Sequence, residues 1–305
     1  MIFLGLVFAL ALQPDPAMIR RIFEDALAQR RNEFGAADAR TAQAARDLGL
    51  FLIREHDAAA ARAALAEAVS IDEKTRDTKT LSDVADLAGI SPPEQAAPLW
   101  MRAAKSTDPA IASRGLSALG ELREAAGDRA AAAEFYRQAL AREEAASGRD
   151  GAPVAVRLVA LALVTEPLQA LPLLQRALVI NRKQHGERHP ETATVEINLA
   201  GALLAAGRMD EAIASGRQAL NGFESTVGEE HPRTAAAASN LADAYRAKGD
   251  RKQAEQLYRR AWTIDRAAYG PKHPETLADI QNLADFLNEI GRQQEAKDLL
   301  SAAHE

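Results

Sequence analysis

The chain has 305 residues, a formal net charge of −6 and no cysteine. The acidic balance argues against a nucleic-acid partner, which needs a basic face for phosphate contacts, and no Lys/Arg cluster or aromatic platform restores one. The lack of cysteine excludes disulfides, thiolate chemistry, cysteine-bound zinc and a lipidated cysteine anchor.

The first element is Met1 to Leu12, almost purely apolar and broken by Gln13-Pro14-Asp15-Pro16. It is too short to span a bilayer as a helix. It reads as a signal peptide over 1–12, with Ala9-Leu10-Ala11 as a small-x-small cleavage site, although no Lys or Arg precedes the apolar run. The expected location is therefore exported, periplasmic or secreted. A cytoplasmic or N-terminally anchored protein is the alternative. Residues 16–34 form a helix, and Ala26, Gly35 and Thr41 then reproduce the spacing of Ala177, Gly186 and Thr192. That spacing makes 16–34 the second helix of a hairpin whose first helix is missing.

Helical pairs fill the rest of the chain. Residues 80–88 echo 276–284, and the turn after them is shortened to Ser91-Pro92-Pro93. A further pair over 152–185 carries Thr165-Glu166-Pro167 in place of a glycine turn. The clearest signal comes last, with one phrase recurring every 42 residues. It opens with His-Pro at His189, His231 and His273, and continues to Asn-Leu-Ala at Asn198, Asn240 and Asn282. It closes with glycine at 207, 249 and 291 and alanine at 212, 254 and 296. A fixed period of this size predicts a stacked array in which each unit buries its apolar face on its neighbours. Pro190, Pro232 and Pro274 suit a first helical position, and the glycines suit the left-handed residue that ends a helix. Abundant alanine lets helices approach closely, at the cost of a thin core.

These residues resemble the tetratricopeptide repeat family in its 42-residue, kinesin light chain-like variant. Leu241-Ala242, Tyr245, Gly249, Ala254, Tyr258 and Ala261 match the family pattern throughout. Leu119-Gly120, Gly127, Ala132, Tyr136 and Ala139 match a unit without the His-Pro loop. Leu48-Gly49, Ala61, Leu65 and Ala68 form a weaker copy, with His56 where glycine is usual. The resemblance implies an all-α fold, an alpha-alpha superhelix of about seven hairpins after a leading helix. It would form one solenoid over 13–305, with its best repeats at 108–146, 189–230, 231–272 and 273–305.

In this family the first helices line a groove that holds a peptide. The resemblance places Ser117, Glu121, Glu124, Ser239, Asp243, Arg246, Gln281, Asp285 and Asn288 on it. The copy at 189–230 would contribute Ile197, Gly201 and Leu204, and the first copy Arg46, Leu50 and Ile53. Asn198, Asn240 and Asn282 form a ladder that either holds a ligand's backbone amides or bonds the adjacent hairpin. The acidic bias of the C-terminal half is either a basic partner's complement or a solvated surface.

Catalytic constellations are missing. His185 and His189 lie four apart, but Gly186 and Pro190 interrupt a regular helix there, and their periodic equivalents are not a metal pair. Ser117 lies in Gly115-Leu116-Ser117-Ala118-Leu119-Gly120, one residue too long for a nucleophile elbow and on a helix. No phosphate-cradling glycine run occurs. The expectation is a non-enzymatic scaffold that binds a protein or peptide, with no catalytic residue, metal, cofactor or small-molecule substrate. A stand-alone regulatory or sensory module in the cytoplasm is the alternative. Self-association through Leu299 and Leu300 of the last helix is a further reading, as is an enzyme with an unrecognised site.

Overall fold

The computed structural model describes residues 15–75 and 80–304, so the expected leader at 1–12 lies outside the described residues. Among the described residues there are fifteen helices and no strand. The leading helix α1 spans Pro16–Phe34. Seven hairpins follow it. They are α2 (Ala39–Arg54) with α3 (Ala58–Thr75), α4 (Thr80–Gly89) with α5 (Pro93–Ala103), and α6 (Pro109–Ala125) with α7 (Arg129–Ser147). Then come α8 (Ala152–Leu163) with α9 (Pro167–His185) and α10 (Pro190–Ala205) with α11 (Met209–Thr226). The last are α12 (Pro232–Lys248) with α13 (Arg251–Tyr269) and α14 (Pro274–Glu289) with α15 (Gln293–His304). The all-α hairpin repeat expected from the sequence is the observed fold.

Each hairpin begins on a repeated set of caps. The Nδ1 atoms of His189, His231 and His273 accept from the backbone N–H two residues on, at 3.2, 3.0 and 3.2 Å. Asp38 and Asp108 cap α2 and α6 in the same way. A proline in the first turn of α10, α12 and α14 gives up an N–H that had no partner. The loop before is closed by a threonine hydroxyl that donates six residues back to a glycine carbonyl. The bonds are Thr41 to Gly35 at 2.8 Å, Thr192 to Gly186 at 2.8 Å and Thr234 to Gly228 at 2.7 Å. The spacing noticed around Gly35 is thus a real loop lock.

The turn inside each hairpin comes in two forms. At Gly127, Gly207, Gly249 and Gly291, φ lies between 75° and 87°. The next residue's N–H bonds back to the carbonyl five before it, as in Asp250 to Tyr245 at 2.9 Å. The first hairpin makes the same bond, Asp57 to Leu52 at 3.0 Å, with His56 at φ 60°. The two shortened turns end differently. There the Ser91 hydroxyl donates to Leu87 O at 2.7 Å, and the Thr165 hydroxyl donates to Leu161 O.

The helices divide into two compact units, one ending at Arg142 and one beginning at Glu143, so the boundary falls inside α7. In the first unit α1 packs on α2 through stacked Phe23 and Phe51, centroids 5.2 Å apart. Its core continues with Leu48, Leu52, Ala61 and Ala68, then Ala85, Trp100, Ala103 and Leu119. In the second unit the repeat alanines 212, 219, 254 and 261 are wholly buried, alongside Phe223, Tyr258 and Phe286. Where a large side chain crosses a hairpin, a glycine opposes it. A Cβ on Gly120 would sit 2.5 Å from Tyr136 Cε1. Arginine–glutamate pairs then tie second helices to their neighbours, including Arg31–Glu67, Arg260–Glu224, Arg259–Glu295 and Arg292–Glu255. Such partly exposed pairs contribute little stability each, so they fix register more than they hold the stack.

Candidate functional site

The expected groove residues divide by what already occupies them. On α14, Gln281, Asp285 and Asn288 are exposed, with Gln281 donating to Asp285 at 2.7 Å. They lie four and seven residues apart on one helical face, opposite fully buried Leu283 and Leu287. On α12, Arg246 reaches across to Glu289 at 2.6 Å, so these two first helices are in direct contact. Asp243 is half-buried and accepts from the Tyr258 hydroxyl at 2.5 Å. Burial pushes its carboxyl up from the ordinary range, against that bond and the Arg246 charge. Glu124 on α6 likewise accepts from the Tyr136 hydroxyl at 2.8 Å, and Glu121 is exposed. Two of the acidic positions therefore serve the buried tyrosines of their own hairpins, because a buried phenol needs an acceptor.

The asparagine ladder is half-buried at all three rungs. Asn240 donates to Ala236 O of its own helix at 2.8 Å, a bond that reaches no other hairpin. Ser117 is buried and its hydroxyl has no partner among the described residues. Leu299 and Leu300, expected as an exposed seam, are half-buried. The His185 and His189 rings stack at 4.6 Å, and Tyr269 and His273 stack in the equivalent place at 4.3 Å. That position is a ring contact above the capping histidine, which tyrosine fills as readily.

Arg46 stands apart from the groove set. It was expected to face a ligand, but its side chain is 10% exposed and spent inside the protein. Its Nε and Nη2 fork onto Asp83 at 2.5 and 2.6 Å, Nη2 also reaches Asp72 at 2.6 Å, and Nη1 donates to Gln43 at 2.7 Å. These three residues come from α2, α3 and α4, so the triad pins one hairpin to the next. Removing one member of a buried ion group costs about 3–5 kcal/mol, since the remaining charge loses its compensation.

The same three positions recur in the second unit with different contents. At the α10, α11 and α12 copy they are Ile197, Phe223 and Ala237, which pack as one apolar cluster. At the α12, α13 and α14 copy they are Ser239, Asp265 and Asp279, with relative exposures of 9%, 6% and 8%. The Ser239 hydroxyl favours the ionised form of the Asp279 carboxyl. Burial first, and the Asp265 charge second, push the Asp279 carboxyl up to about 7. Asp265 is also raised, by burial and by Glu275, with His273 opposing. Asp265 Oδ1, Asp279 Oδ2 and Thr276 Oγ1 have no partner among the described residues. The sequence held a signal for this node that went unread. Asp72 and Asp265 share a repeat position, and so do Asp83 and Asp279.

Hairpins in repeated register, without a strand among the described residues, define a helical repeat protein. Two tetratricopeptide repeat family models match, one at residues 159–225, 193–267 and 233–305 and the other at 116–149, together more than half of the sequence. The chain belongs to the tetratricopeptide repeat family. Among solved structures, one from Podosopora anserina, a kinesin light chain with nearly identical TPR-like repeats, is 25% identical with a TM-score of 0.56. It covers 65% of this chain and 95% of its own. BtubC (BKLC) from P. vanneervenii is 22% identical with a TM-score of 0.57, covering 75% and 89%. A Rap protein complexed with Competence and Sporulation Factor is 16% identical with a TM-score of 0.57, covering 86% and 75%. The last two likenesses concern fold alone. A search of the curated proteins finds no match.

Proposed function

We propose that the protein is a non-enzymatic scaffold that binds a peptide segment of another protein along the first helices of its second unit. Tetratricopeptide repeat proteins bind proteins or peptides, which gives the class of partner. The observation that carries the reading is the polar face of α14. Gln281, Asp285 and Asn288 stay exposed there while the opposite side of the helix is consumed by the core. The Arg246–Glu289 pair continues that face onto α12. The Rap protein solved with Competence and Sporulation Factor supports the reading as an analogy at the level of fold. The residues also speak for a partner with basic or neutral character, since Asp285 is exposed and accepts from a neutral group, the Gln281 amide.

Asp285→Lys is the clean electrostatic probe, because Asp243 is engaged by Tyr258 and its replacement would disturb the hairpin. Partner captured from the native cell by the full chain should fall at least several-fold with Asp285→Lys at unchanged helical content. Undiminished capture would refute the groove assignment. Export belongs to the same proposal and rests on the apolar residues 1–12. No helix among the described residues is long and apolar enough to cross a membrane. Mass-spectrometric reading of the mature N-terminus tests export, a start near Gln13 supporting it and an intact Met1 contradicting it.

A further inference from the structure

The node filled by Arg46, Asp72 and Asp83 in the first unit keeps its two carboxylates in the second and loses its cation. Arg46 and Asp72 are 26 residues apart, and so are Ser239 and Asp265. Thr80 to Asp83 repeats as Thr276 to Asp279. At the position of the arginine stands Ser239, several atoms shorter and without a charge.

Two like charges more than nine-tenths buried are unfavourable without a compensating cation. Of the charged neighbours, His273 opposes the rise at Asp265 and Glu275 reinforces it. Glu275 adds a third negative charge beside the pair, and Nδ1 of His273 is occupied in accepting from the Glu275 N–H at 3.2 Å. One oxygen on each carboxylate, and the hydroxyl of Thr276, have no partner among the described residues. The chain itself shows what satisfies such a pair, a guanidinium that forks onto one carboxylate and bridges to the other.

We propose that the node of Ser239, Asp265, Thr276 and Asp279 opens as a recess that receives a guanidinium from outside, an arginine side chain of the bound peptide. It enters over Ser239 and makes the bonds that Arg46 makes in the first unit. The proposal rests on the groove reading, because Ser239 lies two turns before Arg246 on the same side of α12. Arginine is favoured over lysine by shape, since a planar fork can serve two carboxylates where an ammonium is a point charge. The raised carboxyl of Asp279 adds a pH signature. It is mostly ionised at pH 8 and mostly protonated at pH 6, so arginine binding weakens about tenfold across that interval.

The test uses two blocked alanine pentapeptides, one with arginine at the centre and one with neutral citrulline, titrated calorimetrically into the full chain. The arginine peptide should bind at least tenfold tighter at pH 8, with the preference shrinking at pH 6. Asp279→Asn should abolish the preference. Ser239→Arg should abolish it too, by filling the recess with the protein's own guanidinium. If Ser239→Arg fails to fold, Asp279→Asn decides alone. Equal affinity for the two peptides, or a preference that persists in a folded variant, overturns the proposal. An arginine preference that is missing while Asp285→Lys still abolishes partner capture sinks the recess and leaves the groove standing. Capture indifferent to Asp285 sinks the groove itself.

Discussion

At the scale of single residues, chemistry and packing compete for the same side chains. Asp279 is the clearest case. A carboxyl near 3.8 when unfolded and about 7 when folded binds its proton more tightly in the native state. Its contribution to stability is therefore fully present below about pH 4 and declines as pH rises to about 7. Asp265, Asp243 and Glu196 are raised by burial as well and act in the same direction. Asp279→Asn removes the largest resolved member of this group. Denaturant midpoints should show the variant gaining on the parent chain as pH rises from 5 to 8. A constant difference across that range would show that Asp279 does not titrate there. The capping histidines make the complementary point. Their recurrence marked them as loop residues, and each Nδ1 is occupied by a backbone N–H.

At the scale of the element, the hairpin turn shows a local rule being broken. Four turns use glycine at positive φ, and the first uses His56 at φ 60°, the one non-glycine residue with positive φ among the described residues. The bond from Asp57 to Leu52 is made all the same, with a residue that carries a Cβ held in the left-handed region. His56→Gly should relieve that strain and raise stability by about 0.5–1 kcal/mol. A lowered denaturant midpoint would mean that the imidazole makes a compensating contact. The turns also show how far the sequence could be read. Helix pairs, turn glycines and the loop threonines follow from spacing alone, because each answers to bonds within one repeat. The bonds of Tyr136 to Glu124 and Tyr258 to Asp243 were not legible. Both acids sit on first-helix positions that look solvent-facing by period, and only the packed partner helix reveals the phenol. Arg46 was misread for the same reason, since its two aspartates lie on two other helices.

For the whole molecule, repetition supplies the frame, and the proposed function lies in the departures from it. The wholly buried repeat alanines hold each unit's helices close, while one node is salt-bridged, one apolar and one left as a bare carboxylate pair. That variety at fixed positions gives each hairpin its own chemistry on a shared frame, and under the proposed function this is what a partner would distinguish. Hydrogen exchange of the full chain, with and without partner captured from the native cell, tests this most directly. Slowed exchange should concentrate in the first helices α12 and α14, around Ser239 to Arg246 and Gln281 to Asn288. Slowed exchange confined to the second helices α11, α13 and α15, or no change anywhere, would contradict it.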